Sequence, residues 1–146
     1  MNLPPQDPDY EARVRASFAR QAFMTTLGAR LAVVAPGRVT IELAHRPELT
    51  QQHGFLHAGV VAAVADSACG YAALGLMPAG AGVLSVEFKI NLMKPAAGQL
   101  FRATGQVARA GRTLTVCNAE VESDGTLIAL MQATIMTIVD RGSLVD

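Results

Sequence analysis

From Gly54 to Val86 the chain carries one charged side chain, Asp66, set in a run of alanine, valine, glycine and leucine. With its helical start near Ala58 and its end at Met77, this stretch reads as a helix buried on nearly every side. The rest of the chain must therefore be laid around it. An ionised carboxylate in such a place is costly without a partner, so it protonates, finds donors, or serves a reaction that uses a raised pKa. The plainer reading of Asp66 is a structural carboxylate bonded to a backbone N–H across an interface.

At 146 residues the sequence predicts a single domain, 1–146, large enough to bury a real core; an apolar fraction of 51% and a mean hydropathy of +0.30 leave little room for disorder. Twelve basic residues balance twelve acidic ones, so the basic stripe of a nucleic-acid binder is missing, and the expected partners are small molecules or copies of the chain itself. Cys69 and Cys117 are too few, and too deep in apolar segments, for a disulfide framework, and no Cys/His set has zinc spacing. The compartment expected is reducing and cytoplasmic. The amino-terminal residues lack the charged-then-apolar layout of a signal peptide. A membrane span is disfavoured because Asp66 would sit near its centre at a cost of about 2.5–3.5 kcal/mol.

Flanking patterns supply the rest of the architecture. Residues 1–22 read as an extension with a short surface helix over 9–21, whose Tyr10, Val14 and Phe18 share a face; Gly28 marks a turn into the first strand. Residues 29–35 and 38–44 flank Pro36-Gly37 as a hairpin, the second arm alternating one face in and one face out. Over residues 83–93, Leu84, Val86, Phe88, Ile90 and Leu92 alternate with polar residues, as in a half-buried strand. Strands over 99–109, 112–122 and 126–139 then follow through turns at Ala96-Ala97-Gly98, Ala110-Gly111 and Asp124-Gly125, making four consecutive antiparallel strands with the one over 83–93, and residues 141–146 read as a loose tail. The expected class is α+β, a curved antiparallel sheet with its concave face filled by the helix. Gly59, Ala62, Ala63, Asp66, Gly70 and Ala73 form a smooth helical stripe that another backbone can approach.

If Asp66 is a base, the complementary group is a free backbone N–H at the helix start, near Ala58 and Gly59, where developing negative charge is stabilised. Eight residues separate Ala58 from Asp66, about 12 Å along one helix. One carbonyl carbon cannot be reached by both, so a catalytic reading requires antiparallel helices from two subunits across a two-fold axis, with the strand over 83–93 as the pairing edge. Competing schemes fare worse. His57 and Cys69 lie about 18 Å apart on the same helix, no Gly-x-Ser-x-Gly elbow occurs, and Ser67 points about 100° away from Asp66. His57 at the helix start reads as orienting the entering loop.

The run His57-Ala58-Gly59, with Gly54 before it and Asp66 nine positions after the histidine, resembles the His-Gly-Gly…Asp signature of hotdog-fold acyl-CoA thioesterases of the phenylacetate-degradation type. The segments 86–95 and 109–114 resemble the same family, so the likeness covers most of the chain after Phe23. It implies a hotdog fold, a dimer with one continuous sheet, and often a dimer of dimers. It also implies Asp66 as general base or nucleophile, Ala58 N–H as the oxyanion donor, Gln51 as a positioning group, and, more weakly, Ser85 near the base. Ala58 stands where the family usually has a second glycine, which keeps the N–H but narrows the approach. Arg109 and Arg112, around Gly111, are candidates for the phosphates of coenzyme A, with Lys89 and Lys94 weaker ones; ordinary solvated turn charges are the alternative. An apolar acyl pocket is expected near Phe55, Leu56, Tyr71, Leu74 and Met77. The substrate expected is an aryl or medium-chain acyl-CoA, with no resident cofactor and no metal. A non-catalytic acyl-CoA binding module and an enoyl-thioester hydratase or dehydratase are the alternatives.

Overall fold

The computed structural model describes residues 3–139, 142–144 and 146. Two short helices, α1 (Tyr10–Arg20) and α2 (Ala22–Leu27), lead to a hairpin of β1 (Arg30–Ala35) and β2 (Arg38–Ala44), and then to the central helix α3 (Ala58–Leu74). Four strands follow: β3 (Gly82–Leu92), β4 (Leu100–Arg109), β5 (Leu114–Ser123) and β6 (Thr126–Ile138). All six strands form one antiparallel sheet in the order β1-β2-β4-β5-β6-β3, with α3 packed across it. This helix-on-sheet arrangement is the hotdog architecture expected from the sequence.

Where α3 crosses β4 at Gly105 the approach is backbone to backbone. A Cβ at Gly105 on β4 would lie 2.4 Å from the Ala68 carbonyl and 2.6 Å from the Cys69 nitrogen, so only glycine fits there. Around that contact Val61, Val64, Ala65, Ala68, Cys69 and Ala72 are buried against Phe101, Ala103 and Val107. At the other end of α3 the guanidinium of Arg13 on α1 donates to the carbonyls of Leu74 (2.9 Å), Met77 (2.8 Å) and Pro78 (2.5 Å). These include carbonyls a helix end leaves unpaired, and a cation there also opposes the helix dipole. The helix accordingly stops at Leu74, ahead of the expected Met77.

Other expectations change as well. Phe23, Met24 and Leu27 belong to a helix of their own, α2, closed by Gly28 in the left-handed region (φ 72°). Strand β2 does not alternate: Thr40 and Glu42 are buried as well, because Thr40 meets the Thr104 hydroxyl at 3.0 Å and Glu42 is clamped between Arg30 and Arg102. Strand β3 does not turn back into β4 but pairs with β6, so the chain crosses over after Leu92. As an edge with a bulge between Ser85 and Glu87, β3 leaves Leu84, Val86, Phe88 and Leu92 44–52% exposed instead of half-buried. Of the tail expected at 141–146, Arg141 and Val145 lie outside the described residues, as do Met1 and Asn2 of the amino-terminal extension. Asp146 is not loose: its carboxylate accepts from Ser17 on α1 and from the Val83 N–H.

Candidate active site

Asp66 sits midway along α3 on the face turned away from β4, and it is half-buried rather than enclosed on every side. The predicted stripe is the open face of the helix at Gly59, Ala62, Ala63, Asp66 and Gly70, whereas Ala73 is fully buried. The Asp66 carboxylate is not alone. Ser85 at the start of β3 donates its hydroxyl to Oδ1 at 2.7 Å, and among the described residues nothing donates to Oδ2. Beside this pair lies a cleft of about 350 Å³, walled by Ser67, Gly70 and Tyr71. Tyr71 packs edge-on against Phe18 (5.6 Å between ring centroids), and burial pushes its phenol pKa up, so it stays neutral.

The start of α3 carries the other half of the predicted set. His57 is the N-cap, and its Nδ1 accepts the Gly59 N–H at 2.8 Å. That contact corrects the expectation for Gly59, whose N–H is not free, and makes Nδ1 an acceptor, so the ring holds the helix entry in place. The Ala58 N–H, by contrast, has no protein acceptor among the described residues and is exposed. It opens on a second cleft of about 430 Å³, lined by Gln51, Phe55, Leu56, Ala58 and Met93. The Gln51 side chain there accepts from the His53 N–H.

The site residues therefore fall into two sets within one chain: Asp66, Ser85 and Tyr71 in one cleft, Gln51, Phe55, Leu56 and Ala58 in the other. The helix separates Ala58 from Asp66 by about 12 Å. Along β3 the distance is greater, with Ser85 at one end and Leu92, which lines the Ala58 cleft, about 23 Å away at the other. Leu74 and Met77 belong to neither set and are core residues. Cys69 is core too: the neighbouring Cys117 thiol, which donates to the Cys69 carbonyl at 3.5 Å, together with burial pushes the Cys69 thiol far above the ordinary range, which removes it as a nucleophile. Arg109, Gly111 and Arg112 lie on the exposed β4–β5 turn, in neither cleft. The pairing of Ser85 with Ile135 and of Ile135 with Thr115 sets that turn at the Ser85 end of the sheet. Of the two lysines, Lys94 lines the Ala58 cleft and Lys89 does not.

Ser17, Arg20, Gln21 and Asp146 also line the Asp66 cleft, and the sequence reading missed all four. The helical period of residues 9–21 marks an apolar face, but it carries no sign that a serine on that helix faces a carboxylate 129 residues away.

Comparison with known proteins agrees with this architecture. Residues 53–129 match the thioesterase superfamily model, a span that holds Ala58, Asp66 and Ser85. A crystal structure of a thioesterase family protein from Silicibacter pomeroyi is 51% identical, with a TM-score of 0.86 over 89% of this chain and 98% of that one. Human acyl-coenzyme A thioesterase 13 is 32% identical over 120 residues, 80% of this chain and 85% of that protein. A Saccharolobus solfataricus protein is 35% identical over 92 residues, 62% of this chain and just under two thirds (65%) of that protein. The E. coli PaaI protein of the phenylacetic acid degradation operon, 21% identical, shares the fold with a TM-score of 0.82 over 89% of this chain and 94% of its own. The chain belongs to the thioesterase superfamily and folds as a PaaI-like hotdog.

Proposed function

We propose that the protein hydrolyses aryl- or medium-chain acyl-CoA thioesters at a site shared by two copies of the chain. The observation that carries this reading is the split just described: a carboxylate with one oxygen anchored and the other free in one cleft, and a helix-start N–H without an acceptor in another, both as seen among the described residues. Edge-to-edge pairing of β3 with its copy around Phe88 and Lys89 would set Ser85 of one protomer opposite Leu92 of the other, bringing Asp66 towards the partner's helix start. Such pairing also covers the apolar residues that β3 exposes.

In the proposed reaction Asp66 Oδ2 takes a proton from water as the water oxygen bonds to the thioester carbon. The carbonyl oxygen becomes an oxyanion held by the Ala58 N–H, with Gln51 positioning substrate or water. Collapse breaks the carbon–sulfur bond, and the proton on Asp66 passes to the leaving thiolate, giving free acid and coenzyme A. Anchoring of Oδ1 by Ser85 favours this general-base course over direct attack by Asp66. Water and the thioester suffice, so no resident cofactor or metal is required. Arg109 and Arg112, exposed and without an ion-pair partner among the described residues, are the proposed contacts for the coenzyme A phosphates. A hydratase is disfavoured because the His57 Nδ1 is spent on the Gly59 N–H, and a binding-only module because the Asp66–Ser85 pair is kept.

Complementation tests the shared site. Ala58→Pro removes the one N–H at a helix position where proline is tolerated, and should cost about 10²–10³ in kcat. Asp66→Asn should cost about 10²–10⁴. After subunit exchange between the two dead variants, half the dimers are mixed and each holds one intact pair, so roughly a quarter of wild-type activity should return. Exchange without any recovery would sink the shared site.

A further inference from the structure

The part of the Asp66 cleft beyond Ser85, next to Val83, is built from segments remote from one another in the chain. Ser143, Leu144 and Asp146 line it together with Gly70 and Tyr71, and Asp146 is bonded to Val83, two residues along β3 from the Ser85 that donates to Asp66. The Asp146 carboxylate bridges two elements, Oδ1 accepting from the Ser17 hydroxyl of α1 and Oδ2 from the Val83 N–H of β3, each at 2.8 Å. Ser17 is only 4% exposed, a hydroxyl buried in a helix face where an alanine would fill the space, and Asp146 is the acceptor it finds. At Gly82 a Cβ would lie 2.0 Å from the Leu144 carbonyl oxygen, so the segment bearing Leu144 crosses β3 at a point that admits no side chain. A buried hydroxyl, a glycine crossing and a bidentate carboxylate thus hold one wall from three directions.

We propose that Asp146, tied to Ser17 and Val83, is a specificity-determining wall that limits the length of the acyl group accepted beside Asp66. The inference rests on the Asp66 cleft being the acyl site of the proposed thioesterase. With about 350 Å³ the cleft is at the small end of ligand sites, which run from about 300 to 1,000 Å³. That volume suits a single-ring or medium-length acyl group in front of the wall. A longer chain has to displace the carboxylate and leave the Ser17 hydroxyl and the Val83 N–H unpaired against methylene groups, an unfavourable exchange for buried donors. The wall acts by exclusion and touches no reacting atom, so its removal changes which substrate is used and not the chemical step.

The test is kcat/KM for straight-chain acyl-CoA esters from acetyl to palmitoyl, with phenylacetyl-CoA alongside, for wild type, Asp146→Ala and Ser17→Ala, each checked for fold and assembly. Expected is a sharp fall with chain length in wild type. Both variants should gain about tenfold or more on esters beyond that limit while short esters are unaffected. An unchanged length profile, or an equal loss at every length, would overturn the proposal. If wild type hydrolyses no ester in the series, the thioesterase reading fails on its own, and the wall is judged by binding of non-hydrolysable S-alkyl coenzyme A thioethers of the same lengths. Tighter binding of long thioethers by Asp146→Ala then supports it, and unchanged binding rejects it.

Discussion

The side of α3 that meets the sheet and the side that does not are made of the same kinds of residue, yet they serve opposite ends. On the covered side Ala65, Ala68, Cys69 and Ala72 let the helix backbone rest on Gly105, and nothing there is exposed. On the open side Ala62, Ala63 and Gly70 are just as small, but a Cβ at Gly70 would meet nothing within 4 Å, and the surface continues onto the exposed edge β3. Small residues permit close approach without saying to what. The covered side has its partner within the chain; the open side, which carries Asp66 and borders its cleft, is left without one among the described residues.

The largest effect should come from spoiling the open side. Val86→Arg on β3 is expected to leave a folded monomer with kcat/KM down by about 10² or more, read by size-exclusion chromatography with activity, since each half-site loses its complement. Val33→Arg, on the short and bulged opposite edge, should leave assembly intact. An active monomer of the Val86 variant would break the comparison. Spoiling the covered side should act on stability instead: Gly105→Ala drives a methyl into the Ala68 carbonyl and should cost about 1–3 kcal/mol in denaturant unfolding. Retained stability there would mean that α3 rides higher on the sheet than described.

Smaller changes sharpen the contrast. Ser85→Ala removes the hydroxyl that donates to Asp66 and should lower kcat about tenfold with the melting temperature unchanged, because that hydrogen bond orients a group on the open side and supports no core. Least of all, Gly70→Ala should leave unfolding unchanged or raise it by up to about 1 kcal/mol, the ordinary gain of alanine over glycine in a helix. A clear loss at Gly70 would locate the point where a partner helix crosses.

Periodicity made the central helix, the first hairpin and the inward face of β4 legible, since Phe101, Ala103 and Val107 fall where an alternating pattern puts them. It failed on β3, whose alternation is as regular as that of β4 but whose apolar residues stay exposed at an edge. A two-residue period reports that one side is meant for burial; it cannot report whether the burial occurs within the chain. The pattern of β2 misled in the other direction, because Arg30 and Arg102 cover Glu42 from neighbouring strands whose register no local signal encodes.

The sequence by itself determined that a lone carboxylate lies midway along an apolar helix, about 12 Å from that helix's start, because helical rise is fixed by backbone geometry. From that distance alone it follows that the two groups cannot serve one carbonyl in one chain. Tertiary structure decided what surrounds them: the Ser85 hydroxyl on Asp66, the loss of the Gly59 N–H to His57, and the wall that Ser17 and Asp146 build from opposite parts of the chain. Each of these except the local His57 cap joins residues 19 or more positions apart, and such contacts are set by how strands and helices pack, which no short-range pattern of residues records.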